Sequence, residues 1–324
     1  MNLALPPTLK AATDALLEGV SRKELAGRAA VISQVYRSGG GSAGTITDEI
    51  SVVAYVLSRL PATYAVASAV FDAVREAAPD FAPKSLSDVG AGPGTASWAA
   101  VGSWSSIAKI TMTDSNPAFL RVARTLAAGS PALGNAIYQA LNLVNSAVPR
   151  ADLVAAGYVL AEIAEAKLPQ VIEQLWSMTN EILVMIEPGT PAGFARIRSA
   201  RKLLIGEGAH VLAPCTHDHE CPIVGMDWCH FSQRLPRSRD HLKVKGASVP
   251  FEDERYSYVA LTRRPIERRN QARIIAPPEE TKAGLTLSLC AERGLQRAFV
   301  SSRQRDIYSV LRRAKWGDTI LSED

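Results

Sequence analysis

Asp88-Val89-Gly90-Ala91-Gly92-Pro93-Gly94-Thr95 is the stretch that decides the fold of this 324-residue chain. It continues a short apolar run at residues 86–89, which is typical of a buried strand, and it precedes a helical segment at residues 96–101. Glycine has no Cβ, so this turn can be tight and can let its backbone approach a ligand closely. The sequence therefore predicts a strand, a glycine-rich turn and a helix, the arrangement with which α/β proteins hold a nucleotide-like cofactor.

Strands and helices alternate on the C-terminal side of this turn. Helical spacing marks residues 117–128, 168–179 and 194–205, and apolar runs predict strands at 107–113, 137–143, 151–156 and 181–186. Strands separated by helices indicate an α/β fold with a doubly wound, mostly parallel sheet.

The regions outside this core have a different character. Residues 8–78 show helical spacing, with a break at Ser38–Ser42 and a new helix start at Pro61. Late strands are predicted at 256–261 and 285–289. We predict a helical N-terminal extension (1–80), a Rossmann-like cofactor-binding core (81–205), and a cysteine-rich, basic, metal- and RNA-binding region that completes the sheet (206–324).

The spacing of the glycines distinguishes two kinds of cofactor site. The third glycine comes two residues after the second, unlike the G-x-G-x-x-G pattern of dinucleotide-binding proteins. The pattern resembles motif I of class I S-adenosylmethionine-dependent methyltransferases, acidic-x-Gly-x-Gly-x-Gly. This resemblance implies the class I methyltransferase fold and an S-adenosylmethionine site that includes Asp88, Gly90, Ala91, Gly92, Gly94 and Thr95. An ordinary tight turn is the alternative.

Two further positions fit the same cofactor. Asp114, followed by Ser115, ends the second predicted strand, where an acidic residue accepts hydrogen bonds from ribose hydroxyls. Asn142 ends the third strand, and its amide could pair with an adenine edge. A helix N-cap and a loop residue are the respective alternatives for Asp114 and Asn142. No methyl-transfer motif follows the fourth strand, where the sequence reads Ala156-Gly157-Tyr158-Val159-Leu160, so no catalytic residue is assigned.

All four cysteines and all five histidines lie between residues 210 and 290. The cysteines, Cys215, Cys221, Cys229 and Cys290, are too widely spaced for the paired C-x2-4-C knuckles of zinc ribbons. Four thiolates are the usual ligands of a [4Fe–4S] cluster. From the residues alone, such a cluster and zinc are nearly equal alternatives, with a histidine able to replace one cysteine around zinc. Buried thiols without metal are the remaining alternative.

Positive charge is concentrated in the C-terminal third. Residues 230–315 contain 19 Lys and Arg against 9 Asp and Glu, whereas residues 1–229 contain 17 against 20. This asymmetry favours a polyanionic partner, with a solvated basic face as the alternative. No DNA-reading module is visible, and arginines with aromatic neighbours favour structured RNA. The acidic run 252–254 interrupts the basic stretch and is expected to pair with nearby arginines. The RNA-binding candidates are Arg234, Arg237, Arg239, Lys243, Lys245, Arg263, Arg264, Arg268 and Arg269.

The N-terminal residues and the apolar runs bear on location. Residues 1–7 show neither a secretory signal nor an organelle leader, and apolar runs such as Ser51 to Leu60 are too short to span a bilayer. We therefore expect a cytoplasmic protein without a membrane partner. Cytoplasmic thiols are kept reduced, which favours metal over disulfides for the four cysteines.

Several of these segments together resemble one family, the methyltransferase-like assembly factors of the small ribosomal subunit in bacteria and mitochondria. The resemblance spans roughly residues 55–318. It implies a [4Fe–4S] cluster on Cys215, Cys221, Cys229 and Cys290, and binding to the small subunit through ribosomal RNA. An active S-adenosylmethionine-dependent rRNA methyltransferase is the second hypothesis. A radical enzyme is the third, and the C-x3-C-x2-C spacing of such enzymes is missing. The segments that carry the resemblance are 59–64, 88–95, Cys215 with Cys221-Pro222, 227–234 and 315–318.

Overall fold

The computed structural model describes residues 4–37, 44–143, 149–267 and 270–321. The predicted break at Ser38–Ser42 and the RNA-binding candidates Arg268 and Arg269 lie outside these residues.

The main sheet is mixed and has one antiparallel strand inserted among parallel ones. Its strands, in chain order, are β1 (Ser85–Val89), β2 (Lys109–Asp114), β3 (Ile137–Ala140), β4 (Ala151–Gly157), β5 (Thr179–Pro188), β6 (His210–Ala213), β7 (Phe231–Pro236) and β8 (Phe251–Thr262). Their order across the sheet is β3-β2-β1-β4-β5-β8-β6, and β7 pairs with the first half of β8. Strands β1 to β5 run parallel, whereas β8 is antiparallel to both β5 and β6.

This topology is that of the class I methyltransferase fold, which confirms the predicted fold class. The five parallel strands match the five predicted ones within a few residues. The central strands β1, β4 and β5 are buried along most of their length, as expected for strands covered on both faces.

Helices cover both faces of the main sheet. The N-terminal helices are α1 (Pro7–Leu16), α2 (Arg22–Arg37) and α3 (Glu49–Ala77). They are followed along the chain by α4 (Thr95–Ser103), α5 (Pro117–Ala127), α6 (Leu168–Ser177), α7 (Pro191–Gly206), α8 (Arg239–Lys245) and α9 (Arg305–Leu311). Helices α4 to α7 connect the parallel strands, as the alternating pattern predicts.

The predicted helix start at Pro61 is wrong, because α3 runs through this residue without a break. Proline removes one backbone hydrogen bond from a helix interior. Most of α3 on both sides of Pro61 is buried, so tertiary packing outweighs that loss. Helix α3 is also long and apolar enough to cross a membrane, but 78% of its most apolar window is buried in the fold, as in a core helix.

A second, smaller sheet follows the main one along the chain. It consists of β9 (Gln271–Ile274), β10 (Glu279–Glu280), β11 (Gly284–Ala291), β12 (Gly294–Ser301) and β13 (Thr319–Leu321). Its core is small and includes Ile274, Leu285, Leu287 and Leu289. The late strand predicted at 285–289 belongs to this sheet, and the one predicted at 256–261 belongs to β8 of the main sheet.

Candidate functional site

A cavity of about 290 Å³ opens at the carboxyl ends of β1, β2 and β4, where α/β sheets bind ligands. Five of the nine residues predicted to bind S-adenosylmethionine line it. They are Gly90, Gly92, Asp114, Ser115 and Asn142.

Asp114 is the main charged group on the turn side of this cavity. Its carboxylate accepts hydrogen bonds from the backbone N–H of Gly92 at 2.8 Å and of Asn116 at 2.8 Å. Burial raises the pKa of Asp114 to about 6, while these two hydrogen bonds act in the opposite direction. The helix N-cap reading is wrong for Asp114, because the side chain of Asn116 caps α5 instead.

The glycine turn leaves room for a ligand on one side and packs against protein on the other. Gly90, Gly92 and Gly94 have φ values of +66°, +54° and +83°, a region that side chains disfavour. A Cβ on Gly92 would have no heavy atom within 4 Å, whereas one on Gly90 would lie 2.5 Å from Val159 Cγ2. The turn therefore provides the open cradle that an adenosyl cofactor needs.

Four predicted cofactor residues do not line the cavity. Asp88 is buried and points into the first turn of α4, where its carboxylate accepts hydrogen bonds from the Ser97 N–H and Oγ at 2.9 and 2.7 Å. Burial raises its pKa to about 6. Ala91, Gly94 and Thr95 belong to the backbone of the turn and to the start of α4. Asp88 therefore holds the turn in shape from behind.

The opposite wall of the cavity was missed by sequence reasoning. It includes Tyr55 from α3, Phe119 from α5 and Tyr158 after β4. Tyr55 and Phe119 meet edge to face with their ring centroids 5.1 Å apart. Tyr158 has φ of +62°, which is unusual for a residue other than glycine and typical of functional sites. Its position directly after Gly157 at the end of β4 is the one signal that could have indicated it.

Tyr158 stands where amino-methylating enzymes carry their catalytic loop. Its hydroxyl is buried without a hydrogen-bond partner in the described part of the chain. Burial and the nearby Glu254 raise the pKa of Tyr158 well above its usual value. The hydroxyl therefore stays protonated at neutral pH and cannot act as a base.

A buried ion pair lies close to this wall. Arg59 of α3 and Glu254 of β8 form two hydrogen bonds, of 2.8 and 3.2 Å. The Arg59 side chain is 26% exposed and that of Glu254 is 12% exposed. Arg59 is part of the segment 59–64 that carries the family resemblance, and this pair is one of the contacts that the segment makes.

A second cavity, of about 40 Å³, brings all four cysteines together. Cys215 follows β6, Cys221 and Cys229 lie in the loop between β6 and β7, and Cys290 lies on β11 of the second sheet. The other walls are mostly apolar. They include Ile223, Phe231, Tyr258 and Val259, together with Arg201 of α7.

The environment of Cys215, Cys229 and Cys290 favours their neutral thiol forms. Burial raises the pKa of all three, and for Cys290 the value is about 12. Neighbouring cysteines of the cavity act in the same direction. Cys290 Sγ also lies 3.8 Å from His217 Nε2.

Aromatic side chains from two distant segments meet beside the cysteine cavity. His230 stacks on Trp228, with centroids 5.2 Å apart, and meets the edge of Trp316 at 4.9 Å. The Trp228 indole donates to the carbonyl of Gly189 at 3.0 Å. A Cβ on Gly317, whose φ is +99°, would lie 3.4 Å from Phe231. Segments 227–234 and 315–318 are therefore parts of one packed unit.

Within the described ranges, no group of three or more His, Cys, Asp or Glu side chains could hold a single metal ion. A zinc ion needs its ligands within about 2.0–2.3 Å of one point. The zinc alternative therefore has no support in this arrangement.

Many of the basic residues predicted to bind RNA are engaged within the protein. Strands β7 and β8 place Arg234 opposite Asp253, and the two side chains form two hydrogen bonds of 2.8 Å each. Arg237 and Lys245 both pair with Glu252. The expected pairing of the acidic run 252–254 with nearby arginines is thus confirmed.

The remaining basic candidates differ in exposure. Arg263 stacks on Trp176 and donates to the backbone carbonyls of Thr179 and Trp176. Arg264 pairs with Glu181, but its side chain is 78% exposed. Arg239 and Lys243 are exposed one turn apart on α8 and have no ion-pair partner among the residues that the structure describes.

Comparison with known proteins identifies a family. Residues 49–321 match the family described as mitochondrial small ribosomal subunit Rsm22. The human ribosome assembly protein METTL17, mitochondrial, is 29% identical over 300 residues, which cover 85% of this chain and 63% of that protein. The Rsm22-cox11 tandem protein 2, mitochondrial, of Schizosaccharomyces pombe is 25% identical over 336 residues, covering 86% of this chain and 44% of that protein. The chain therefore spans less than two thirds of the length of the human relative and less than half of the length of the yeast relative.

Among solved structures, the magnesium protoporphyrin IX methyltransferase of Synechocystis PCC 6803 with bound S-adenosylmethionine is 17% identical, with a TM-score of 0.40. The match covers 64% of this chain and 84% of that chain.

The expected cytoplasmic location is contradicted, because the family and these relatives are described as mitochondrial. That expectation depended on residues 1–7. Targeting signals are separate from the folded domain, so the fold carries no information about them.

Proposed function

This chain belongs to the Rsm22 family, and we propose that it acts in the assembly of a small ribosomal subunit. The observation that carries this proposal is the extent of the family match. Residues 49–321 include the cofactor cavity, the cysteine cavity and both sheets. The human relative that matches 85% of this chain is named as a ribosome assembly protein, which supports the same role.

We propose that the cofactor cavity binds S-adenosylmethionine. The open space above Gly92 would receive the cofactor backbone, and the Asp114 carboxylate would accept hydrogen bonds from the ribose hydroxyls. Tyr55 and Phe119 supply apolar surface in the same cavity. Asp88 would act indirectly, by holding the turn.

We propose that Cys215, Cys221, Cys229 and Cys290 hold a [4Fe–4S] cluster. Four thiols that line one apolar cavity are the donor set that such a cluster requires. A cluster spreads its four ligands around a cube, so its thiolates need not approach a single point as they would around one zinc ion. When bound, the cluster would tie the loop between β6 and β7 to β11.

We propose that the protein contacts ribosomal RNA through its exposed basic residues. Arg239 and Lys243 on α8 are the strongest candidates, because they are exposed and have no ion-pair partner among the residues that the structure describes. Arg264 is the next candidate, because its side chain is 78% exposed although it pairs with Glu181. Phosphate contacts from such residues provide affinity that weakens with salt.

Binding of anaerobically purified protein to immature small subunits from its own source tests this function. We expect binding that weakens with rising salt and that is lost when all four cysteines are replaced by serine. A matched control is the conservative Arg264→Lys variant, which should bind like the unchanged protein. Absence of binding to small subunits at low salt would contradict the proposal.

An active rRNA methyltransferase is the second candidate, and the intact glycine turn beside an open cavity favours it. It predicts transfer of labelled methyl groups to immature subunits and loss of transfer in Gly92→Arg, which would fill the cavity. Subunit binding without any transfer would leave assembly as the function. No methyl-transfer motif follows β4, where the sequence reads Ala156-Gly157-Tyr158-Val159-Leu160, so we rank this candidate second.

A further inference from the structure

Two arginines, Arg201 and Arg273, lie beside the cysteine cavity. Arg201 of α7 is 5% exposed and lines the cavity. One terminal nitrogen of its guanidinium donates to the carbonyl of His217 at 2.8 Å. Its Nε is buried and has no hydrogen-bond partner in the part of the chain that the structure describes. Buried N–H groups are nearly always paired, so this one needs an acceptor.

Arg273 approaches the same cavity from the second sheet. It lies directly opposite Cys290 in the pairing of β9 with β11. Its Nε donates to the carbonyl of Pro214 at 2.6 Å, and a terminal nitrogen donates to the carbonyl of Gly317 at 2.6 Å. These two contacts fix the guanidinium between the residue before Cys215 and the turn before β13.

Both guanidiniums are placed next to the cysteines. Arg201 lines the cavity of the four thiols, and Arg273 lies opposite Cys290 and donates to the carbonyl of Pro214, the residue before Cys215. Two positive charges therefore stand beside the proposed ligands.

We propose that Arg201 and Arg273 compensate the negative charge of the metal site, and that the free Nε–H of Arg201 donates to one of its sulfur atoms. This inference depends on the [4Fe–4S] cluster proposed above. A cluster on four thiolates keeps a net negative charge, and burying net charge is costly unless it is paired. Two fixed guanidiniums supply the pairing.

The reduction potential follows from the same charges. Reduction adds one electron to a buried, negatively charged site, and neighbouring cations stabilise the reduced form. Removing one of them should therefore make reduction harder and lower the potential. Arg201 and Arg273 are thus positioning residues that set the redox behaviour of the cluster.

The test compares Arg201→Gln with Arg201→Lys, using anaerobically purified, full-length protein. Glutamine keeps a donor for the His217 carbonyl but removes the charge, whereas lysine keeps the charge. Lys202→Gln is the matched control, because Lys202 is the next residue of α7 and is exposed. The measurements are iron and sulfide per chain, circular dichroism, and the potential from a redox titration followed by electron paramagnetic resonance.

We expect Arg201→Gln to shift the redox equilibrium of the cluster roughly tenfold toward the oxidised form, about 59 mV for one electron. Arg201→Lys should recover most of this shift, and Lys202→Gln should show none. Arg273→Gln repeats the measurement at a second position, so a folding failure at position 201 does not remove the test.

Each outcome decides a separate point. If the unchanged protein contains no iron or sulfide, the proposed metal site is wrong and this inference falls with it. If the cluster is present but Arg201→Gln and Arg273→Gln match the control in potential, the charge-compensating role alone is overturned. A lysine variant that shifts as far as the glutamine variant would also overturn it, since its charge is retained.

Discussion

Replacing Gly90 with alanine should destabilise the protein by about 2–4 kcal/mol. The new Cβ would lie 2.5 Å from Cγ2 and 2.6 Å from Cβ of Val159, so the Val159 side chain must move. A left-handed φ costs alanine about 1–2 kcal/mol. Overpacking adds about 1–3 kcal/mol. Restricting the unfolded chain returns about 0.4–1 kcal/mol.

Gly92→Ala separates the cost of the left-handed backbone conformation from the cost of the collision with Val159. Gly92 also has a left-handed φ, of +54°, but its Cβ would meet no heavy atom within 4 Å. This variant should therefore lose only about 1 kcal/mol, from the backbone conformation. The difference between the two variants then measures the collision with Val159.

A double-mutant cycle identifies the partner. Gly90→Ala combined with Val159→Gly should be about 1–3 kcal/mol more stable than the sum of the two single variants, because glycine removes both the Cγ2 and the Cβ atoms that the new Cβ would meet. Urea unfolding followed by tryptophan fluorescence gives the free energies. Additive losses, or equal losses for Gly90→Ala and Gly92→Ala, would refute this reasoning.

Three further predictions follow from the buried charges and the basic surface. Arg59→Met should cost about 3 kcal/mol in urea unfolding, since it leaves Glu254 unpaired in a mostly buried position, whereas removing the exposed Arg234 should cost much less; similar losses would contradict this. Because burial raises the pKa of Asp114 to about 6, the folded state holds its proton more tightly than the unfolded state, and stability should fall as pH rises from about 4 to about 6. In urea unfolding experiments at several pH values, Asp114→Asn should reduce this fall in stability. An unchanged pH profile of stability would contradict the role given to Asp114. Arg239→Ala with Lys243→Ala should lower the salt dependence of RNA binding by about one unit of slope per residue at unchanged stability. Arg237→Ala should instead lower stability, because Arg237 pairs with Glu252. If Arg237→Ala lowered the salt dependence of RNA binding and the Arg239 and Lys243 variant did not, the proposed RNA contacts would be wrong.

The sequence predicts the parts of the fold that depend on local pattern. The glycine turn and β1 to β5 follow from short apolar runs, turns and helices that are adjacent along the chain. The position of β8 between β5 and β6 depends on pairing between residues far apart, such as Met185 with Val259, and no local pattern reports that. Most strands of the second sheet were missed because several are short and polar, including β10, which consists of two glutamates.

The candidate sites also divide into features that the local sequence indicates and features that depend on residues far apart in the chain. Gly90, Gly92 and Asp114, which motif spacing selects, line the cavity together because the turn is local. The spacing does not show that the Asp88 carboxylate faces Ser97, which only the structure reveals. Net charge overstates the basic surface, because β7 and β8 bring Arg234 and Asp253 together.

The cysteine cavity also explains why the second sheet belongs with the first. That sheet has a small core of its own, and small cores stabilise a unit only weakly. Three cysteines come from the side of the main sheet and Cys290 from β11, so a group held by all four would join the sheets directly. Arg273 also connects the two sheets, because from β9 it donates a hydrogen bond to the backbone carbonyl beside Cys215. We therefore expect loss of the proposed cluster to release β9 to β13 first and to leave the methyltransferase-like core folded.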